Sequence, residues 1–178
     1  MSRMATIAMV IAAVVLALSL IGCGDKAITT QQTDENPAGK VTGYTDCKRG
    51  PDAASQADTS AVKDCIEYTY DGHSVLTLKH VNAGFNCCPD SLLAAFHVSV
   101  GEIIIDESED LTTGGCHCLC LYDLNYEITG LAPGHYNIRV NQPYLKSGAA
   151  VLDFSMNLTS ATSGSFCVTR NFYPWITE

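Results

Sequence analysis

Two groups of cysteines carry the clearest potential for chemistry in this chain. Cys87 and Cys88 are adjacent and precede a proline, whereas Cys116, Cys118 and Cys120 occupy every second position of a short segment. Cysteine thiolates bind Zn²⁺ or Cu(I), and in an oxidising compartment cysteines instead form disulfides. The sequence therefore allows two interpretations, a disulfide-stabilised domain or a metal site. The cellular location of the protein must decide between them.

The N-terminal residues indicate that location. Arg3 precedes an uncharged apolar run from Ala5 to Ile21, which is typical of an export signal. The residues Leu20-Ile21-Gly22-Cys23 resemble the lipobox of bacterial lipoprotein signal peptides. The resemblance implies cleavage after Gly22, addition of acyl chains such as palmitate to Cys23, and anchoring in a lipid bilayer. The alternative is a transmembrane anchor, but the run is short for a bilayer span and no basic cluster follows it.

The expected location is the bacterial cell envelope. Gly24, rather than Asp, follows Cys23, and by analogy with enterobacterial sorting this favours the outer membrane, with the domain facing either the periplasm or the exterior. Loss of Arg3 with the signal peptide leaves nine basic against 19 acidic residues, a net charge of −10. This acidic balance argues against nucleic acid as a partner. The expected partners are the lipid bilayer, through Cys23, and a protein or glycan of the envelope.

Export favours disulfides for the eight cysteines that follow Cys23. Neighbours at i and i+2 on a strand lie about 6.6 Å apart, too far for an easy bridge, so the strand cysteines need partners elsewhere. We expect Cys87 and Cys88 each to bridge to that strand, and a Cys47–Cys65 bridge would leave Cys167 as the third partner. The alternative is a Zn or Cu site that uses Cys87, Cys88, Cys116, Cys118 and Cys120, with His97 or His117 assisting. The disulfide candidates are Cys47, Cys65, Cys87, Cys88, Cys116, Cys118, Cys120 and Cys167.

Alternating apolar and polar residues predict an all-β fold of about eight short strands. Asp71-Gly72 predicts a two-residue turn between two such strands, and residues 116–129 are expected to form one strand with the three cysteines facing inward. Residues 128–140, ITG-LAPG-HYNIRV, resemble a strand pair of bacterial surface and carboxypeptidase-regulatory-type β-sandwich domains. The prediction is a single antiparallel, disulfide-stapled β-sandwich. Its organisation is a signal peptide (1–22), a lipidated cysteine and flexible tether (23–45), and the domain (46–178).

Other residue patterns do not indicate catalysis. The five histidines lack metal-binding spacings, and His80, on an apolar strand face, is expected to be a hydrogen-bonded core residue. Residues 106–110, DESED, are expected to form an exposed acidic loop. Because no nucleophile or phosphate-binding motif is present, we expect a non-catalytic binding or structural module of unknown ligand, not an enzyme.

Overall fold

The computed structural model describes residues 36–48, 63–172, 174 and 175, and these form an all-β fold, as predicted. Within the described ranges, no helix is long and apolar enough to cross a membrane. The strands are β1 (Ala38–Tyr44), β2 (Lys63–Tyr70), β3 (Leu76–Asn86), β4 (Ser91–Ser99), β5 (Glu102–Asp110), β6 (Leu119–Thr129), β7 (His135–Asn141), β8 (Leu152–Asn157) and β9 (Thr162–Thr169).

The strands form two sheets, one with the order β1-β6-β3-β2-β9 and the other with the order β4-β5-β7-β8. Every pairing is antiparallel except β5–β7, which is parallel. The predicted antiparallel arrangement therefore holds at every described pair but this one. The reason is the connection: after β5 the chain crosses to β6 in the other sheet and returns, so β7 runs in the same direction as β5.

The core lies between the inner faces of the two sheets and follows the alternation of the sequence. In β7, Tyr136, Ile138 and Val140 are buried while the residues between them are exposed. Ile103 and Ile105 of the neighbouring β5 are fully buried. The alternating pattern therefore identifies the inward side chains of this sheet correctly, since successive residues of a strand face opposite sides.

The first strand corrects the predicted tether. Residues 38–44, assigned to the tether of residues 23–45, form β1 and pair with β6 along most of its length. Because β1 belongs to the five-stranded sheet, the folded domain includes residues 38–44 and does not begin at residue 46. The segment escaped sequence reasoning because main-chain hydrogen bonds hold it to β6 and, apart from Val41 and Tyr44, its side chains are small or polar. Gly39 lies against Phe96 of β4, where a Cβ would come 2.2 Å from the ring Cγ.

Replacing Gly39 with alanine is expected to lower the free energy of unfolding by about 1–3 kcal/mol, because Phe96 must move to admit the methyl group. Gly43→Ala is the matched control, since a Cβ there meets no atom within 4 Å. Urea denaturation of both variants measures the difference. Equal stability of the two variants would show that β1 does not pack on β4 as described.

Two further boundaries differ from the sequence predictions. Residues 106–110 belong to β5 rather than to an exposed loop, because β4 pairs with β5 as far as Ser91 opposite Asp110. The turn between β2 and β3 spans residues 71–75, longer than the predicted Asp71-Gly72 turn. The Asp71 carboxylate accepts hydrogen bonds from the main-chain N–H groups of His73, Ser74 and Val75, which stabilise the wider turn.

Candidate functional site

Four disulfides link the eight cysteines that lie between residues 47 and 167. Two of them, Cys87–Cys118 and Cys88–Cys116, agree with the prediction that Cys87 and Cys88 bridge to the cysteine segment. The Cys47–Cys65 bridge, which the sequence allowed, does not form. The other two disulfides are Cys47–Cys120 and Cys65–Cys167.

Strand register explains the corrected pairs. In the β2–β9 pairing Cys65 lies directly opposite Cys167, and their Cα atoms are 4.1 Å apart. Cys47 follows β1, which is hydrogen-bonded to β6, the strand that carries Cys120. The order of strands in the sheet, which spacing along the chain does not reveal, therefore sets both partners.

The paired disulfides of Cys87 and Cys88 are organised around Asn86. The Asn86 Oδ1 accepts hydrogen bonds from the main-chain N–H groups of Cys88 and Cys116, each at 2.9 Å, and its Nδ2 donates to the Cys116 carbonyl at 2.7 Å. Strand β6 begins only at Leu119, so the three cysteines do not share an inward face as expected. Cys120 is buried, Cys116 is half-buried and Cys118 is exposed.

The disulfides occupy all five cysteines of the alternative metal site. Cys87, Cys88, Cys116, Cys118 and Cys120 are all bonded to other cysteines, and a disulfide sulfur does not offer the thiolate that Zn²⁺ or Cu(I) binds. His97 contacts Asp106 at 3.0 Å instead, and His117 is exposed. Over the described residues, no group of three His, Cys, Asp or Glu side chains is arranged to hold a metal ion. The metal alternative therefore applies only to a reduced protein and stays a prediction.

A network of ionisable side chains lies in the core around His80. Its Nε2 contacts Asp64 Oδ1 at 2.6 Å and its Nδ1 contacts Glu107 Oε1 at 2.5 Å. His80 and Asp64 belong to β3 and β2 of one sheet, whereas Glu107 belongs to β5 of the other. The imidazole therefore links the two sheets. The prediction that His80 is a hydrogen-bonded core residue is confirmed.

Further polar groups complete this network. Arg170 donates from Nε to Asp64 Oδ2 at 2.9 Å, and from Nη2 to the same oxygen and to Gln142 Oε1. On the other side, Tyr126 Oη donates to Glu107 Oε1 at 2.5 Å. Glu107 Oε2 is buried without a hydrogen-bond partner among the described residues.

Electrostatic attraction by two carboxylates favours the protonated form of His80. Burial opposes the charged imidazolium, but the carboxylates of Glu107 and Asp64 outweigh it and raise the pKa of His80 to about 10. Burial likewise raises the pKa of Asp64, yet His80, Gln142 and Arg170 together hold that pKa below its usual value. The charged groups are sealed from solvent, with exposures of 0% for Asp64 and His80, 1% for Arg170 and 6% for Glu107. In this conformation the network joins the two sheets through the contacts of His80 with Asp64 and Glu107.

A second polar cluster surrounds a bulge in β3. Asn82 interrupts the β3–β6 register and has a φ of 66°, a left-handed conformation that few residues other than glycine adopt. Its Oδ1 accepts a hydrogen bond from Lys48 Nζ at 2.7 Å, and its main-chain N–H donates to Asp123 Oδ1 at 3.1 Å. Lys48 and Lys79 both form ion pairs with Asp123. Burial raises the pKa of Asp123, but these ion pairs and hydrogen bonds bring it below its usual value.

The outer face of the five-stranded sheet carries a shallow groove of about 420 Å³. Its exposed side chains are hydroxyls, amides and charges of both signs, and neither sheet covers it. The groove runs over the central strands of the sheet, where the outward-facing positions carry polar side chains. The outward residues that line it are Thr42, Glu67, Thr69, Thr77, Lys79, Asn125 and Glu127.

Sequence reasoning missed most members of both clusters. Asp64 could have been identified, because it occupies the same alternating positions of β2 as Ile66 and Tyr68 and therefore faces inward. A charged side chain on an inward face indicates a buried partner. Glu107 was hidden in a run of acidic residues that is typical of a solvated loop. The predicted lipidation site, Cys23, and the predicted signal peptide lie outside the described residues. No protein-family model, curated protein or solved structure matches this chain.

Proposed function

We propose that this protein is an exported, lipid-anchored module of the bacterial cell envelope that binds or supports another envelope component without catalysis. The observation that carries the proposal is that all eight cysteines from Cys47 to Cys167 are joined in four disulfides. Disulfides persist in oxidising compartments outside the cytoplasm and are rare within it. A domain with this many cross-links is therefore best explained as an exported one.

The lipobox-like residues supply the anchor in this proposal. Leu20-Ile21-Gly22 precede Cys23, whose acyl chains would insert in the bilayer, and β1 begins at Ala38, so residues 24–37 would connect the lipid to the domain. Gly24 after the lipidated cysteine favours the outer membrane. The metal-binding alternative gains no support from a domain whose cysteines are all paired.

Two features support binding rather than catalysis. The ionisable groups around His80 are buried in the core, whereas catalytic groups must reach a substrate. The polar groove on the five-stranded sheet is open, and a protein or glycan of the envelope would meet hydroxyl, amide and charged side chains there. The net charge of −10 after signal removal disfavours nucleic acid.

The anchor is tested by Cys23→Ser in cells fed labelled palmitate. The wild-type protein is expected to incorporate label and to sediment with membranes, whereas the variant is expected to lose the label because a serine hydroxyl does not replace the acylated thiol. Ser19→Ala, which leaves residues 20–23 intact, is the control and should retain the label. An unlabelled wild-type chain that still carries residues 1–22 would contradict the proposal, as would thiols free to alkylation in the denatured, unreduced protein.

A further inference from the structure

The main chain of Lys48 is held firmly against β6. Its neighbour Cys47 is bonded to Cys120, and the Lys48 N–H donates to the Leu121 carbonyl at 2.9 Å. A lysine side chain is otherwise flexible, with about 2 kcal/mol of rotamer entropy to lose. Here the covalent link fixes the point from which the side chain starts, and its amine reaches the bulge of β3.

The amide of Asn82 is equally well fixed. Its Nδ2 donates to the Lys63 carbonyl at 2.7 Å, while its Oδ1 accepts from Lys48 Nζ at 2.7 Å. The Asn82 carbonyl accepts a hydrogen bond from Trp175 Nε1 at 2.7 Å, and the side chain of Trp175 packs over Gly84. These hydrogen bonds fix the orientation of the Asn82 amide carbonyl relative to the lysine nitrogen.

A carboxylate contacts the same lysine nitrogen. Asp123 Oδ1 is paired with Lys48 Nζ and also accepts from the Asn82 main-chain N–H at 3.1 Å. Asn82 is 5% exposed and Asp123 is 8% exposed, so water has little access to the two groups. An amine, an amide carbonyl and a proton acceptor thus meet at one partly buried point.

From this geometry we propose that Lys48 and Asn82 become joined by an intramolecular isopeptide bond, with Asp123 carrying the protons. Holding two groups in contact turns a reaction that is very slow between separate molecules into an intramolecular one, with a large gain in effective concentration. The proposal concerns a covalent modification of the domain and does not depend on the function proposed above.

The reaction balances without any other reagent. Asp123 accepts a proton from the Lys48 ammonium, and the neutral nitrogen attacks Asn82 Cγ, so that a new Nζ–Cγ bond forms and the carbonyl electrons move to Oδ1. As the carbonyl re-forms, the Cγ–Nδ2 bond breaks and Nδ2 departs with two protons taken from Lys48. The products are a secondary amide, one ammonium ion and the original Asp123 carboxylate. No oxidation or reduction occurs.

Lys79 is a second lysine that pairs with Asp123, and it supplies the control for the proposed bond. It pairs with Asp123 Oδ2 at 3.2 Å, on the carboxylate oxygen that does not contact Lys48. No contact joins Lys79 to the Asn82 amide among the hydrogen bonds of the described residues. If charge pairing alone mattered, the two lysines would behave alike, whereas the proposed bond uses only Lys48.

The test is peptide mapping by mass spectrometry of the full chain after reduction, alkylation and proteolysis. We expect one cross-linked peptide containing Lys48 and Asn82, with a mass equal to the two peptides together less one ammonia. Lys48→Arg and Asp123→Asn are expected to abolish it, and Lys79→Arg to retain it. Circular dichroism and a count of intact disulfides establish that each variant is folded.

Three outcomes would overturn the proposal. Separate peptides with an unmodified Lys48 amine and Asn82 amide would show that the contact is only a hydrogen bond. Loss of water with a Lys48–Asp123 linkage would identify a different acyl partner. A full yield of the cross-link in folded Asp123→Asn would show that Asp123 does not carry the protons.

Discussion

The free energy of unfolding is expected to decrease as the pH rises from about 6.5 to about 10, because the folded protein holds a proton on His80 that the unfolded chain releases. The pKa of His80 in the folded state is about 10, compared with a usual value of 6.5. Each pKa unit corresponds to about 1.4 kcal/mol, so the total loss is on the order of 5 kcal/mol. For a domain of ordinary stability this is a large fraction of the total.

The direction follows from which state binds the proton. Below pH 6.5 both states are protonated and the contribution of His80 is present in full; above this pH only the folded state keeps the proton, until it too titrates near pH 10. Asp64 and Glu107 contact His80 directly, with Arg170 beyond Asp64 and Tyr126 beyond Glu107. Asp64, whose pKa is lowered, contributes stability above its usual pKa of 3.8 that is lost as the pH falls through the acid range. Burial and Glu107 raise the pKa of Tyr126 well above 10, so its hydroxyl stays protonated across the window.

Urea denaturation at successive pH values measures this decrease, and His80→Gln is expected to remove the decrease as well as part of the stability. His73→Gln, at a turn position in solvent contact, is the control and should leave the slope unchanged. His80→Gln leaves two buried carboxyl groups without their cation and is expected to lose part of its stability for that reason alone. Nitrogen NMR of the wild-type imidazole therefore provides an independent measurement of its protonation. A neutral His80 ring at pH 8 would contradict the prediction.

Removal of the Cys65–Cys167 disulfide is expected to cost about 4 kcal/mol, and removal of Cys88–Cys116 only about half as much. The first bridge joins residues 102 positions apart and closes a long loop even when the other three bridges remain, so it restricts the unfolded chain strongly. The second lies beside Cys87–Cys118, which already brings residues 88 and 116 together in the unfolded chain. A bridge that closes so short a loop removes little additional entropy.

The comparison uses two double variants, Cys65→Ala with Cys167→Ala, and Cys88→Ala with Cys116→Ala. Each removes one bridge and both of its cysteines, so each is the control for the other. Urea denaturation without reductant gives the free energy of unfolding for both. Equal losses, or a larger loss from Cys88–Cys116, would show that contacts in the folded state, rather than loop length, determine what each disulfide contributes.

The sequence predicted those parts of the fold that depend on side-chain alternation. The inward residues of β7, Tyr136, Ile138 and Val140, follow directly from a period of two. Strand β1 was missed because Ala38–Tyr44 contains few apolar residues and is held by main-chain hydrogen bonds to β6. Main-chain pairing leaves almost no trace in composition.

The candidate sites were less predictable because they depend on which strands become neighbours. Cys65 and Cys167 are far apart in the chain, and only the adjacency of β2 and β9 brings them together. Glu107 faces the core from β5 although its neighbours in the sequence are acidic and polar. Lys48 and Asn82 meet because a bulge turns Asn82 toward the end of β1, and neither residue alone signals a site.

The Cys47–Cys120 disulfide also has a mechanical consequence. In a protein held to a membrane through Cys23, as proposed, tension from the membrane reaches the domain first at β1, which lies at the edge of its sheet. Pulling can separate β1 from β6 one hydrogen bond after another, but the load then arrives at Cys47 and passes through the sulfur–sulfur bond directly into β6. Since β6 lies between β1 and β3, the force enters the interior of the sheet, and the extension of the chain stops at a covalent bond.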